Sequence, residues 1–362
     1  MSSPTIVPRI IFIDFKSKND DHLSGNLSFI FKVYNFLYKK EDYCFIYICN
    51  ESAEKEAKYW KNRIKLEKLI IKTIGIEYRK SDIIFILYPE YNKFINYLSI
   101  KLKTSLLISI SHGHLNTFGI LDNYFAKKLK NIYKNLFFRI FDYIICYSAH
   151  IKKKGNQFLP RNLNKKLVVI NEIKNFPEEI KYPKQSLRRN DKTIIGFLHF
   201  PNEPLNKNIY KKILNQKDIY EIKKGWEHSL GNFNNYLKFL NSCDIIVTNK
   251  KHSYELQVSG VVNDCLSLGV IPLCSRKNIH LNYISKKSVN NKLFYKEDFN
   301  KEFFKIPSRK ELESIKKDLY NYVKNSKEQN NLVLKNISKY KEFLISIQGA
   351  LGGGGMFDLY RY

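Results

Sequence analysis

The stretch DIIVTNKKHSYELQVSGVVNDCLSLGVIPLC, Asp244–Cys274, decides how this chain folds. Asp244–Thr248 is a short β-branched run, Gly260–Leu268 has helical period, and Val270–Cys274 is apolar again after Gly269, a residue suited to stopping a helix. Strand, helix and strand in close succession form a βαβ unit. Its two strands must be parallel, because the crossover returns the chain to its starting edge.

The same alternation extends in both directions. Upstream lie the runs Thr193–Leu198 and Asp218–Ile222, with helix-period stretches at Pro204–Asn215 and Leu230–Asn241. Earlier still, Arg9–Asp14, Tyr43–Cys49, Asp82–Tyr88, Ser105–Ser111 and Tyr143–Ser148 read as strands. They alternate with the helical stretches Asn26–Lys39, Glu51–Lys68, Tyr91–Lys103 and Asp122–Phe141. Residues 171–192, with Pro177, Pro183 and mixed charges, break the pattern and read as a linker. The expected organisation is an N-terminal domain over 1–170 and a C-terminal domain over 193–347. Its charged, helix-period end, Pro307–Ile347, packs back across both. Residues 348–362 contain four consecutive glycines and read as a flexible tail or an added extension. The fold class is α/β, with two Rossmann-like doubly wound domains facing a cleft.

Length and composition agree. The 362 residues exceed what one small core needs, and 44% hydrophobic with 14% aromatic content excludes a disordered basic tail protein. No window approaches the roughly 18 apolar residues of a membrane span, and two prolines in the first eight residues interrupt any signal-peptide run. A chain that neither spans a membrane nor is exported is therefore expected, and a cytoplasmic one. The six cysteines are scattered without a C-x-x-C pair, four of them in or beside strand-like runs, which suits reduced, buried thiols. The eight histidines form no H-E-x-x-H cluster, so no metal is expected. Lys and Arg number 62 against 34 Asp and Glu, a net charge of +28. Phosphates of nucleic acid, anionic lipid or phosphorylated small molecules would all match it. Lys, Asn, Ile and Tyr are raised together, as AT-rich coding produces, so part of the excess is solvated surface.

Ligands of open α/β sheets bind beyond the carboxyl ends of the strands. After the first strand, Gly25 and Asn26 open a helix where free N–H groups favour an anion, although Ser24 capping that helix explains the same residues. After Ser105–Ser111 come His112, Gly113 and His114. A histidine there can serve as general base, or can simply be satisfied by loop backbone. Ser259 and Gly260 start a helix whose first N–H groups, at Gly260 and Val261, suit a diphosphate. Asp264 lies one turn on, where a carboxylate can accept ribose hydroxyls. An ordinary crossover accounts for the same stretch without a ligand.

Asp244–Cys274 resembles the donor half of GT-B glycosyltransferases, in particular the large family 4-like group that uses nucleotide sugars. Cys-Asp-Ile-Ile-Val-Thr-Asn (243–249) and Ser-Gly-Val-Val-Asn-Asp-Cys-Leu-Ser-Leu-Gly-Val-Ile-Pro-Leu (259–273) carry the likeness. Thr193-Ile-Ile-Gly-Phe-Leu is similar to the strand that opens the family's C-terminal domain. Asn206-Lys207-Asn208 resembles the segment whose lysine meets the donor diphosphate, Lys224-Gly225-Trp226 the base-binding loop, and Tyr143–Ser148 the last strand of the N-terminal domain. The resemblance implies a metal-independent transferase with no cofactor. Donor contacts would come from Lys207, Gly225, Trp226, Ser259, Gly260, Val261 and Asp264. Catalytic roles would fall to His112 and Glu255, and acceptor or donor-loop roles to Gly25, Asn26 and His114. The chain departs from the family where its usual pair of glutamates is replaced by Glu255 and Asp264 at a different spacing, and where Phe197 stands for an arginine. One extra residue also lies between Gly269 and Pro272. The partners implied are a UDP-, GDP- or CMP-linked sugar and a glycan or lipid-linked acceptor.

On a wheel of about 100° per residue, residues 125–141 place Phe125, Leu129, Ile132, Leu136 and Ile140 on an expected core face. Lys127, Lys130 and Lys134 fall opposite, interleaved with Phe138 and Phe141. Between Lys101 and Arg161, eleven basic residues meet only Asp122 and Asp142. Such a face suits peripheral attachment to the anionic inner face of the cytoplasmic membrane, or is a solvated basic surface. Two other functions fit the sequence. One is a polyol-phosphate transferase of cell-surface polymer synthesis, which Ser-His-Gly resembles. The other is a nucleic-acid-binding protein, although no helix-turn-helix, zinc or RNP signature supports it.

Overall fold

The computed structural model describes residues 9–14, 20–38, 43–73, 75–111, 124–171, 192–198, 210–211, 213–225, 233–247, 260–275, 294–295 and 308–350. The first half alternates β1 (Arg9–Asp14), α1 (Asp20–Tyr38), β2 (Cys44–Cys49), α2 (Glu51–Arg63), β3 (Leu69–Lys72), β4 (Ile83–Ile86), α3 (Phe94–Lys103) and β5 (Leu106–Ser111). It continues through α4 (Tyr124–Arg139), β6 (Tyr143–Cys146), α5 (Ala149–Phe158), α6 (Arg161–Asn164) and β7 (Leu167–Val169). The second half has β8 (Thr193–Phe197), β9 (Tyr220–Lys224), α7 (Phe233–Asn241), β10 (Ile245–Val247), α8 (Gly260–Leu268), β11 (Ile271–Ser275), β12 (Phe294–Tyr295) and the long α9 (Arg309–Ala350).

Two parallel sheets result. The first has seven strands in the order β3-β2-β1-β4-β5-β6-β7, and the second has five in the order β12-β11-β10-β8-β9. The direction of strand addition reverses between β1 and β4 in one, and between β8 and β10 in the other. These are the two topological switch points. Strands such as Ile10–Asp14 and Leu106–Ser111 are buried throughout, as expected when helices cover both faces. The α/β, doubly wound architecture expected from the alternation is the one observed.

The opposite, amino edges are stitched by three aspartates, each one residue before a strand. Asp82 accepts from the Arg79 amide at 2.7 Å and is gripped by the Arg9 guanidinium at 2.9 and 2.6 Å. Asp142 accepts from the Leu107 amide at 2.7 Å and from Lys101 Nζ at 2.6 and 2.5 Å. Asp244 accepts from the Ile194 amide at 3.0 Å and from Lys316 Nζ at 3.0 Å, both partners of that ion pair being buried. Each carboxylate ties a strand to its neighbour or its entry turn, with a charge-assisted bond to a cation brought from elsewhere in the chain.

Helix α9 packs back across both halves, as expected. Leu312, Ile315 and Leu319 join the core of the second sheet, whereas Leu334 and Ile337 join the core that contains the first. Between them the buried stripe turns polar. Asn330 Oδ1 accepts from the Asn171 amide at 2.7 Å, and Asn330 Nδ2 donates to the Asn171 carbonyl at 3.0 Å. An amide side chain thus pairs with the main chain beyond β7 as a neighbouring strand would.

Several expectations are corrected. Helix α1 begins at Asp20, so Gly25 and Asn26 lie within it instead of opening it. Helix α2 ends at Arg63, short of Lys68, because Leu69–Lys72 pairs with β2 as a further strand. The faces of this segment are exchanged for most of the residues described: Phe137, Phe138, Phe141 and Lys134 are buried and Ile132 and Leu136 are exposed, while Ile140 is buried as expected and the side chains of 125–131 lie outside the description. The physical reason is aromatic packing. Phe137 lies 4.5 Å from the Tyr91 ring and 6.1 Å from Tyr97, and Phe141 lies 6.0 Å from Tyr97, so the rings draw that side of α4 inward. The linker expected at 171–192, past Asn171 and short of Lys192, lies outside the described residues, as do 351–362.

Candidate functional site

At the switch point of the second sheet, β8 and β10 run side by side, with Ile195 opposite Ile245 and Phe197 opposite Val247. Gly196 permits that arrangement, since a Cβ there would stand 2.5 Å from Cys243 Sγ and 2.6 Å from Ile246 Cδ1. Helix α8 follows β10 and starts at Gly260. A Cβ at Gly260 would meet nothing within 4 Å among the described residues, so none of them requires glycine there. Gly260 is exposed and Val261 half-buried, while every residue from Val262 to Leu268 is buried. The helix is therefore held in the core with its first residue exposed. It stops at Gly269, whose φ of 62° a side chain would disfavour.

Asp264 is buried one turn along α8. Its Oδ2 accepts from the Tyr236 hydroxyl at 2.9 Å, which anchors α8 to α7. Gly225 is buried directly beyond β9. Beside it, Lys224 brings its ammonium to 5.9 Å from the centre of the Tyr210 ring, and that ring meets Phe197 edge-on at 5.5 Å. Lys224 pairs in register with Phe197, the last residue of β8, so it places a cation at the carboxyl edge of the sheet. The sequence reading treated Lys224 only as part of a loop. The strand expected over Asp218–Ile222 in fact runs to Lys224, and its pairing with β8 puts Lys224 opposite Phe197.

In the first sheet, β1 ends on Asp14 at the β1/β4 switch point. Asp14 is fully buried and accepts from Asn26 Nδ2 at 2.6 Å and from the Tyr47 hydroxyl at 3.1 Å. Burial and the neighbouring Asp14 charge push the Tyr47 phenol well above its ordinary range. Burial, reinforced by Asp14 and Glu54, raises Cys49 to about 11, so its thiol stays protonated near neutrality. Asn26 is thus committed to fixing α1 against β1. Asp14, which pattern reading had treated only as a strand terminus, organises the end of the sheet. Ser109 and Ser111 on β5 are buried, and their hydroxyls meet no partner among the described residues.

The structure therefore brings Gly225, Gly260, Val261 and Asp264 to the carboxyl side of the second sheet, and Gly25 and Asn26 to that of the first. His112, His114, Lys207, Trp226, Glu255 and Ser259 lie outside the described residues. No group of three His, Cys, Asp or Glu side chains suited to a metal occurs among the described residues.

No family model and no curated protein matches the chain. Among solved structures, a putative UDP-N-acetylglucosamine 2-epimerase from Listeria monocytogenes is similar at 10% identity and a TM-score of 0.44, over 74% of this chain and 78% of its own. An S. aureus MnaA–UDP co-structure is similar at 11% identity and a TM-score of 0.42, over 77% and 83%. The lipopolysaccharide outer core galactosyltransferase WaaB, in its apo form, is similar at 11% identity and a TM-score of 0.39, over 73% and 79%. Likeness at this level assigns neither ligand nor reaction to this chain.

Proposed function

We propose that the chain is a GT-B-type glycosyltransferase that moves a sugar from a nucleotide-sugar donor to a hydroxyl of a surface polysaccharide or lipid-linked glycan, without a metal. The observation that carries this reading is the exposed first residue of α8, Gly260, on the helix that follows β10 at the β8/β10 switch point, in the stretch whose sequence resembles a donor site. As the anomeric C–O bond to the diphosphate breaks, negative charge gathers on the leaving group. The N–H groups of Gly260 and Val261 and the cations of Lys207 and Lys224 stabilise it. The acceptor oxygen bonds to the anomeric carbon and its proton passes to a base, the role assigned to His112, with Glu255 facing the donor sugar. Ser259 completes the phosphate contacts, and Gly225 with Trp226 receives the base. Asp264 holds α8 in place for the ribose end. Gly25, Asn26 and His114 border the acceptor side. The site of action is the cytoplasmic face of the membrane.

Thermal shift with UDP-, GDP- and CMP-linked sugars and with CDP-alcohols tests the reading. One nucleotide sugar should stabilise the wild type, by about 2.7 kcal/mol at a hundredfold excess over Kd. Gly260→Val and Lys207→Ala should lose that stabilisation while keeping the unliganded melting temperature. Stabilisation by a CDP-alcohol alone would transfer the chain to polyol-phosphate chemistry, and no stabilisation by any donor would refute the site.

A further inference from the structure

We propose that the outer face of the α3–α4 pair docks onto an anionic membrane surface, with Ile95, Leu102, Ile132 and Leu136 entering the interface and Lys103 and Arg139 meeting lipid headgroups. The two helices are neighbours. Phe94 meets the Tyr133 ring at 5.7 Å, Tyr97 meets Phe137 at 6.1 Å, and Lys101 at the end of α3 pairs with Asp142 beyond α4. Their inner sides are thus spent on an aromatic core, and their outer sides carry large aliphatic groups beside the short polar Asn96 and Ser99. Ile95 is 69% exposed, Leu102 68%, Ile132 49% and Leu136 46%, with Tyr133 beside them. Among the described residues, these five are most of the large apolar side chains that the fold leaves exposed. Scattered exposed aliphatics are ordinary on a soluble protein, whereas their concentration on one pair of adjoining helices is not.

Charge selects the occupant. Neither α3 nor α4 contains an acidic residue, and Lys103 and Arg139 are exposed at the ends of the two helices, whereas Lys134 is buried. A second copy docking through the same face would bring two such basic helix pairs together, and like charges oppose a two-fold contact. Nucleic acid would be met by exposed aromatics for stacking, while here four of the five exposed groups are aliphatic. Aliphatic side chains among cations, on helices lying flat against a sheet, match an interfacial surface over anionic lipid. No helix among the described residues is long and apolar enough to cross a bilayer, so the contact is a surface one. The surface differs from the one expected from the helical wheel, since Phe138, Phe141 and Lys134 turn inward.

Flotation of the full chain with vesicles of phosphatidylcholine, with and without phosphatidylglycerol, tests this independently of donor binding. The wild type should float with the anionic vesicles only, and added salt should weaken the association. The variant Ile95→Ser/Leu102→Ser/Ile132→Ser/Leu136→Ser should lose at least about tenfold in partitioning, each buried methylene being worth a few-fold. Lys103→Glu/Arg139→Glu should lose the preference for phosphatidylglycerol. Both variants alter only exposed side chains, and unchanged circular dichroism and melting would confirm that they fold. Absence of wild-type flotation, or flotation of the serine variant equal to wild type, would overturn the proposal. So would a concentration-dependent dimer, or retention on duplex RNA, that the serine variant alone abolishes. Failure here leaves the thermal-shift result for nucleotide sugars unaffected, and the converse also holds.

Discussion

Gly196 shows how one missing methyl group sets the spacing of a sheet. The strand β8 approaches Cys243 and Ile246 so closely that an added Cβ would fall 2.5 and 2.6 Å from their side chains, with Phe239 at 3.1 Å. Gly196→Ala should therefore destabilise the protein by about 1–3 kcal/mol through overpacking. Adding Cys243→Ala should recover part of the loss, because it removes the nearest obstacle. Urea denaturation of the single and double variants measures both, and strictly additive effects would show that the two sites do not share a clash. Asp244, next in sequence to Cys243, carries a related lesson. The aspartate of the donor-like Cys-Asp-Ile-Ile-Val stretch points to the amino edge, where Ile194 and Lys316 hold it. It supports the sheet from the end opposite the carboxyl side.

Elements were legible in the sequence to the extent that their own residues determined them. The strand β1, the helix α8 and the stop at Gly269 were, because an unbroken β-branched run, a helical period and a left-handed glycine are local signals. Strands β3, β7 and β12 are short and set among lysines, so no apolar run stands out, and pairing with β2, β6 and β11 defines them. Helix α4 offered two stripes, and its period could not choose between them. Rings more than thirty residues away on Tyr91, Phe94 and Tyr97 made the choice. The same holds at the sites: Gly260 was placed by its helix start, whereas the Asp14–Asn26–Tyr47 cluster arises from pairing between β1 and β2. The choice made in α4 has a measurable cost. Burial lowers the Lys134 ammonium to about 8, below the ordinary 10.5 of lysine. Between those values the unfolded chain retains a proton that the folded chain has released, so stability rises with pH across that window and is penalised below it. Lys134→Met removes that titration, so its stability relative to wild type should be highest near neutral pH. That relative stability should fall as pH climbs through 8 toward 10.5. Parallel denaturation curves across that range check the sign, and an offset independent of pH would contradict it.

For the molecule as a whole, α9 joins what the two sheets begin. Lys316 secures it to the second sheet through Asp244, and Asn330 secures it to the main chain leaving the first through Asn171. Asn330→Ala would remove the acceptor of the buried Asn171 amide, while the Asn171 carbonyl keeps Lys32 Nζ at 3.2 Å, at a cost of about 1–3 kcal/mol. The expected readout is a lowered melting temperature with faster hydrogen exchange at β7 and Asn171. Unchanged exchange there would show that the clasp is dispensable. The clasp also constrains how the protein is made. Asn171 and Asn330 are 159 positions apart, so at elongation rates of about 5–20 residues per second the first sheet waits about 8–30 s for its last partner. During that interval β7 is an outer strand of the nascent chain with no α9 against it, the kind of edge that invites pairing with other chains and that a ribosome-associated chaperone would shield.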